Sequence, residues 1–325
     1  MAFRSPARYL LAPVLAMSSV GLLSCGRQES AAPDTSGQLR VFVSIPPQKY
    51  FVERIGGEHV DVHVLVGPGQ SPHTFEPTAR QVVELSEADV YFRVGVPFER
   101  QLADKIEAAL ADLTVVDTSE GIEFRSVQAT SVESIEPDPG RHVHGPECDH
   151  DPDGALDAHT WLSPRLALVH ARNIRDALSR LDRDHSEIYA RNFEQLEADL
   201  REVDREIANA LAPLAGRELF VFHPAFGYFA EAYGLKQVAI EMGGRQPTAR
   251  HLDKLIARAR QAGVRVVFVQ PQFSKQGAEA VARAIGGAVI PLDPLAEDYV
   301  ANLRHVADAI RDALGTSSED QESSP

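Results

Sequence analysis

The chain has 325 residues, 44% of them hydrophobic and 24% charged, enough apolar material for a sizeable core and for two lobes. Its 47 acidic against 32 basic side chains leave a formal net charge of -15. That balance argues against nucleic acid as a partner, because phosphate binding needs a basic face, and it is compatible with a cation as ligand.

The first residues, MAFRSPARYLLAPVLAMSSVGLLSCG, read as an export signal over 1–24: Arg4 and Arg8 supply a positive start, and the apolar run Tyr9 to Leu23 is short for a membrane span. The run ends in LLSC, which resembles the lipobox of bacterial lipoproteins and implies a lipidated Cys25 at the mature N-terminus. Residues 25–39 are small and polar, a flexible tether. The second of the two cysteines, Cys148, then has no partner for an intramolecular disulfide.

From Arg40 short β runs alternate with amphipathic helices. VFVSI is a strand, followed by a helix from Pro46-Pro47 to Gly56-Gly57; VDVHVLV is a second strand. A corner rich in Gly and Pro, GPGQSPHTFEPTAR, holds His73, and Pro77 is expected to open a helix to about Ala88. VYFRV is a third strand, Phe98, Leu102, Ile106 and Leu110 mark a helix, and TVVDTS is a fourth strand. This order implies a parallel sheet covered by helices, an N-terminal α/β lobe over 40–183. Periodicity lapses over 119–157, where SVESIEPDPGRHVHGPECDHDPDGALD carries eight acids against one arginine together with His142, His144, Cys148 and His150, a surface loop.

Helix returns at Pro164, with Leu166, Val169, Ile174, Leu178 and Leu181 as expected inward positions. Over 184–212 Tyr189, Phe193, Leu196, Leu200, Val203, Ile207 and Leu211 step by three or four, one long linking helix. The alternation then restarts over 213–315 as a second α/β lobe: ELFVFH, QVAI, VRVVFVQP and AVIPLDP are strands, Thr248 caps a helix to Gly263, and a last helix spans about Glu297 to Leu314. The tail 316–325 is expected to be disordered. The fold class is therefore α/β, two lobes each with a mostly parallel four-stranded sheet flanked by helices, joined by one long helix. No convincing sequence repeat relates the lobes.

Ligands of open α/β sheets bind beyond the carboxyl ends of the strands. Near such ends stand His73, His223 in LFVFHPAFGYF and Asp293 in VIPLDP, while His159 in DAHTWLSP leads into the helix at Pro164. If their loops meet, three imidazoles and a carboxylate make a tetrahedral zinc site, and Pro72, Pro224 and Pro294 stiffen the backbone beside three of them. Spacing alone leaves that convergence open, since a single histidine is more often a hydrogen-bonded structural residue.

GQSPHTFEPTARQV, DAHTWLSPRLA, VFHPAFGYFAEAYGL and IPLDPL, in that order, resemble the metal-ligand segments of the zinc/manganese solute-binding proteins of ABC importers, in their zinc-uptake group. The resemblance runs from Val41 to Leu314 and implies His73, His159, His223 and Asp293 as ligands of a transported Zn2+. It further implies a monomer that performs no catalysis, is held at the cell envelope by its lipid, on the periplasmic side or the outer face of the cytoplasmic membrane, and delivers zinc to a cognate permease. Manganese-type relatives tend to carry a carboxylate at the third position, so His223 favours zinc, in keeping with imidazole's preference for that ion. The alternatives are the same fold carrying Mn2+ or Fe2+, or a zinc hydrolase with Asp293 as a base, which lacks an H-E-x-x-H or G-x-S-x-G motif.

His142, His144, Cys148 and His150 form a possible auxiliary metal loop, although the loop is poorer in histidine than in the most His-rich relatives. Trp161, Phe226 and Tyr228 are expected to pack around the site, and Glu76 and Glu241 to orient imidazoles if they are more than surface residues. His59, His63, His170, His185, His251 and His305 are read as non-ligands.

Overall fold

The computed structural model describes residues 37–109, 113–126, 156–241 and 247–322. The signal segment 1–24, Cys25, most of the tether and the loop residues His142, His144, Cys148 and His150 lie outside the described residues.

Eight strands build two parallel sheets of four. β1 (Leu39–Val43), β2 (Val60–Val64), β3 (Val90–Arg93) and β4 (Thr114–Asp117) lie in the order β2-β1-β3-β4. β5 (Glu218–Val221), β6 (Lys236–Ala239), β7 (Val266–Val269) and β8 (Ala288–Pro291) repeat that order as β6-β5-β7-β8. The lobes share a topology although no sequence repeat is visible. Parallel strands need long crossovers, and helices supply them: α1 (Pro46–Gly56), α2 (Ala79–Ser86) and α3 (Phe98–Ala109) in the first lobe, α6 (Gly227–Ala232), α7 (Ala249–Gln261) and α8 (Gln276–Ile285) in the second. Between the lobes run α4 (Pro164–Leu181) and α5 (Ser186–Leu211).

Two boundaries and one helix face differ from expectation. α2 begins at Ala79 rather than Pro77, because the Thr78 hydroxyl accepts from Gln81 N and the Gln81 side chain reaches back to Thr78 N, a reciprocal cap. α4 turns Ala167, His170, Ala171, Ile174, Ala177 and Leu178 inward and leaves Leu181 exposed, since small alanines permit close approach to α5. α9 (Tyr299–Glu322) continues into the tail expected to be disordered from 316, where no proline interrupts it.

The apolar stripe of α5 is buried throughout, from Tyr189 to Leu211. It joins one hydrophobic cluster that includes Val41 and Phe51 of the first lobe and Leu219, Phe229 and Leu303 of the second. Polar ties add to it at both ends: Asn192 Nδ2 donates to Ile55 O at 2.9 Å, and Arg304 Nε to Glu206 at 2.6 Å. Among the described residues no helix is long and apolar enough to cross a membrane.

Candidate metal centre

His73 lies in the turns after β2. Gln70 closes on Gly67, Thr74 N donates to Ser71 O, and Phe75 is buried edge-on against Phe98 at 4.9 Å. The residue itself is at the surface, but its ring tip reaches inward. His159 ends the approach to a short helical turn at Thr160–Leu162 and is 6% exposed; His223 follows β5 and is 5% exposed. Backbone at His223 is gripped from both sides by Gln270, whose Oε1 accepts from His223 N and whose Nε2 donates to His223 O, each at 3.0 Å. Gln270 follows β7, the neighbour of β5 at the point where the strand order reverses, which is the position α/β sheets offer to ligands.

The three imidazoles converge. His73 Nε2 lies 3.1 Å from His223 Nε2 and 3.3 Å from His159 Nε2, and the last two are 3.3 Å apart. A tetrahedral ion with bonds of about 2.05 Å sets neighbouring ligand nitrogens ~3.3 Å apart, so this triangle has the edge that zinc requires. The tautomers follow from the partners. Asp157 Oδ1 accepts from His159 Nδ1 at 2.8 Å, and Glu241 Oε1 accepts from His223 Nδ1 at 2.5 Å. A carboxylate only accepts, so Nδ1 carries the proton and Nε2 presents its lone pair to the centre. Burial pushes the His73 ring down to about 2, helped by the adjacent imidazoles of His159 and His223, and burial likewise holds His223 well below its ordinary value. Neutral nitrogens with converging lone pairs form a cation site.

Asp293 is not part of this cluster. Its Oδ1 accepts from Gln272 Nε2 at 2.8 Å and Leu295 N at 2.9 Å, and the set of ligand atoms within 4.8 Å of one another comprises His73, His159 and His223 alone among the described residues. The wall of the site is Trp161, Phe273, Pro294, Leu295 and Gln272. Trp161 Nε1 donates to Pro294 O at 2.8 Å, and Phe273 stacks on the His223 ring at 4.5 Å. Of the aromatic residues expected here, Trp161 lines the site, whereas Phe226 packs against Phe229 and Tyr228 against Arg125. Of the expected glutamates, Glu241 holds an imidazole, whereas Glu76 stands exposed. Three supporting residues were not anticipated: Asp157, Gln270 and Phe273. Asp157 had a signal, the D-x-H spacing of DAH; Gln270 and Phe273 follow a buried strand and reach His223 only through the fold. His170, read as a non-ligand, is fully buried and bonded to Thr160 and Thr118.

Known proteins resemble the chain over most of its length. A crystal structure of ZnuA superposes with a TM-score of 0.75 at 37% identity, covering 85% of this chain and 99% of the other. A zinc-bound ZnuA deletion mutant superposes with a TM-score of 0.74 at 38% identity, covering 85% and 98%. The high-affinity zinc uptake system protein ZnuA of Bacillus subtilis is 28% identical, covering 93% of this chain and 96% of that protein. The zinc-binding lipoprotein AdcA of Streptococcus pneumoniae is also 28% identical over 84% of this chain, which spans only 52% of AdcA. The family model described as "zinc-uptake complex component A periplasmic" matches residues 41–313, and with two like-ordered parallel sheets and a three-histidine centre between them, the chain belongs to that ZnuA family.

Proposed function

We propose that this protein is the extracytoplasmic zinc-binding component of an ABC importer, which captures Zn2+ between its lobes and passes it to a membrane permease. The observation that carries this is the triangle of Nε2 atoms 3.1–3.3 Å apart, two of its rings fixed by carboxylates. Relatives named for zinc uptake support the choice of cargo. In this reading the ion is substrate, and tight capture needs a closed coordination shell. Asp293 is the proposed fourth ligand: it stands one residue before Pro294 in the site wall, and it reaches the ion by leaving Gln272. Cys25 is the proposed lipid anchor, in line with the lipoprotein name of AdcA.

Calorimetric titration with zinc tests the assignment. His223→Ala should weaken binding by more than the ~10–100-fold that loss of a supporting residue costs. Asp293→Ala should weaken it less. Unchanged affinity in His223→Ala sinks the site; unchanged affinity only in Asp293→Ala removes Asp293 from the shell and leaves the three histidines in place.

A further inference from the structure

Asp157 aims His159 from inside the molecule, and its other oxygen faces the junction of the two lobes. The chain enters that junction twice. Ser126 bridges Leu156 in antiparallel fashion, and Asp157 N donates to Arg125 O at 2.8 Å, so Arg125 and Asp157 sit side by side in a short neck. The second lobe closes over this neck with α6. Arg125 N donates to Tyr228 Oη at 2.9 Å, Arg125 Nη1 donates to Glu231 Oε2 at 2.8 Å, and the guanidinium lies 5.4 Å from the centre of the Tyr228 ring. On its inner side Arg125 Nε stands 3.8 Å from Asp157 Oδ2, a carboxylate only 3% exposed.

Gly227 completes the arrangement. It is the first residue of α6, where the helical backbone does not call for glycine. A Cβ at this position would lie 2.7 Å from Asp157 Oδ2 and 3.1 Å from Arg125 Cζ, well inside contact distance. Glycine is there because the second lobe approaches the Asp157–Arg125 pair too closely for a side chain. The outer contact to Glu231 is largely exposed and contributes little by itself. The buried side matters more, because a carboxylate out of water needs its donors.

We propose that Arg125 and Gly227 form an inter-lobe latch that fixes the aim of His159 through Asp157, so that parting of the lobes loosens this ligand and releases zinc. Arg125 is thus a positioning residue for retention of the ion. The proposal rests on the zinc-capture reading above.

Stopped-flow release of zinc into an excess of chelator tests it, with capture rates measured in parallel, on wild type, Arg125→Met, Asp157→Asn, the double variant and Gly227→Ala. Arg125→Met and Gly227→Ala should each speed release ~10-fold, the lower end of the range for supporting residues, with capture unchanged. The double variant should release no faster than Asp157→Asn alone, because Arg125 acts through that carboxylate. Wild-type release rates in both Arg125→Met and Gly227→Ala overturn the latch, as do effects of Arg125 and Asp157 that multiply. Should Arg125→Met not fold, Gly227→Ala decides the matter, since it deletes no contact. Failure of the zinc reading looks different: wild type and His159→Ala would then bind zinc equally poorly.

Discussion

Two of the three imidazoles differ from the third in how they are held. His159 and His223 each give Nδ1–H to a buried carboxylate, Asp157 and Glu241, and His223 has its backbone clamped by Gln270. A carboxylate behind an imidazole fixes the tautomer and makes the opposite nitrogen more basic. Glu241→Ala should therefore weaken zinc binding ~10–100-fold, and Glu241→Gln, which keeps an acceptor but loses the charge, should weaken it less. Competition with a chelator of known affinity measures both; a Glu241→Ala protein that binds like wild type would show that His223 needs no support. At this scale much was legible. All three histidines stand in short motifs at strand ends or helix starts, and Asp157 stands two residues before its partner. Gln270 and Phe273 were hidden, because β5 and β7 are neighbours only in the folded sheet. Asp293, which the motif implies as a ligand, stands outside the histidine triangle, its Oδ1 accepting from Gln272 Nε2 and Leu295 N.

The strands were legible as elements because a parallel sheet buried on both faces is written in short apolar runs such as VVFV. On α4 the expected inward positions Ile174 and Leu178 are buried, whereas Leu166 and Val169 are half-buried and Leu181 is exposed, because Ala167, Ala171 and Ala177 take much of the inner face. Placement of elements also explains why the lobes contribute differently. In the second lobe the reversal point between β5 and β7 carries His223. In the first lobe the matching point between β1 and β3 is filled by Glu99, whose carboxylate accepts from Ser44 Oγ, Val94 N and Gly95 N, so the ligand comes from the turn after β2 instead. Burial raises Glu99 to about 7, and burial lowers His170, on α4, to about 4. Their signs oppose. The Glu99 contribution is full below the ordinary carboxylate range and is lost as pH rises through about 7. His170 is neutral in the fold, so its contribution is full above 6.5 and is lost as pH falls toward 4. That loss is worth ~3 kcal/mol over the window. Urea unfolding of metal-free wild type and His170→Gln should show the stability gap between them narrowing from pH 7 to pH 4; a constant gap would mean that His170 does not titrate in this way.

On the scale of the whole molecule, α5 decides how the lobes behave. Its buried stripe lies in one hydrophobic cluster that reaches β1 and α1 on one side and β5 and α9 on the other. Neither lobe can unfold without exposing the stripe that the other lobe also covers, so the two should melt together. The chain carries a probe for this. Its single tryptophan, Trp161, is 1% exposed, lines the metal site, and hydrogen-bonds through Nε1 to Pro294 O of the second lobe. Fluorescence of Trp161 therefore reports the junction, while circular dichroism reports the helices of both lobes. The two transitions in urea should coincide, in wild type and in Leu200→Ala, whose truncated side chain is fully buried on α5 and should cost ~2–5 kcal/mol. Zinc at a hundred times its dissociation constant should then move both curves together by ~2.7 kcal/mol, since an ion held by residues of both lobes stabilises only the joined state. A tryptophan transition that runs ahead of the circular dichroism, or one that alone responds to zinc, would mean that urea populates an intermediate in which the junction has come apart and the lobes have not melted, which the core shared through α5 forbids.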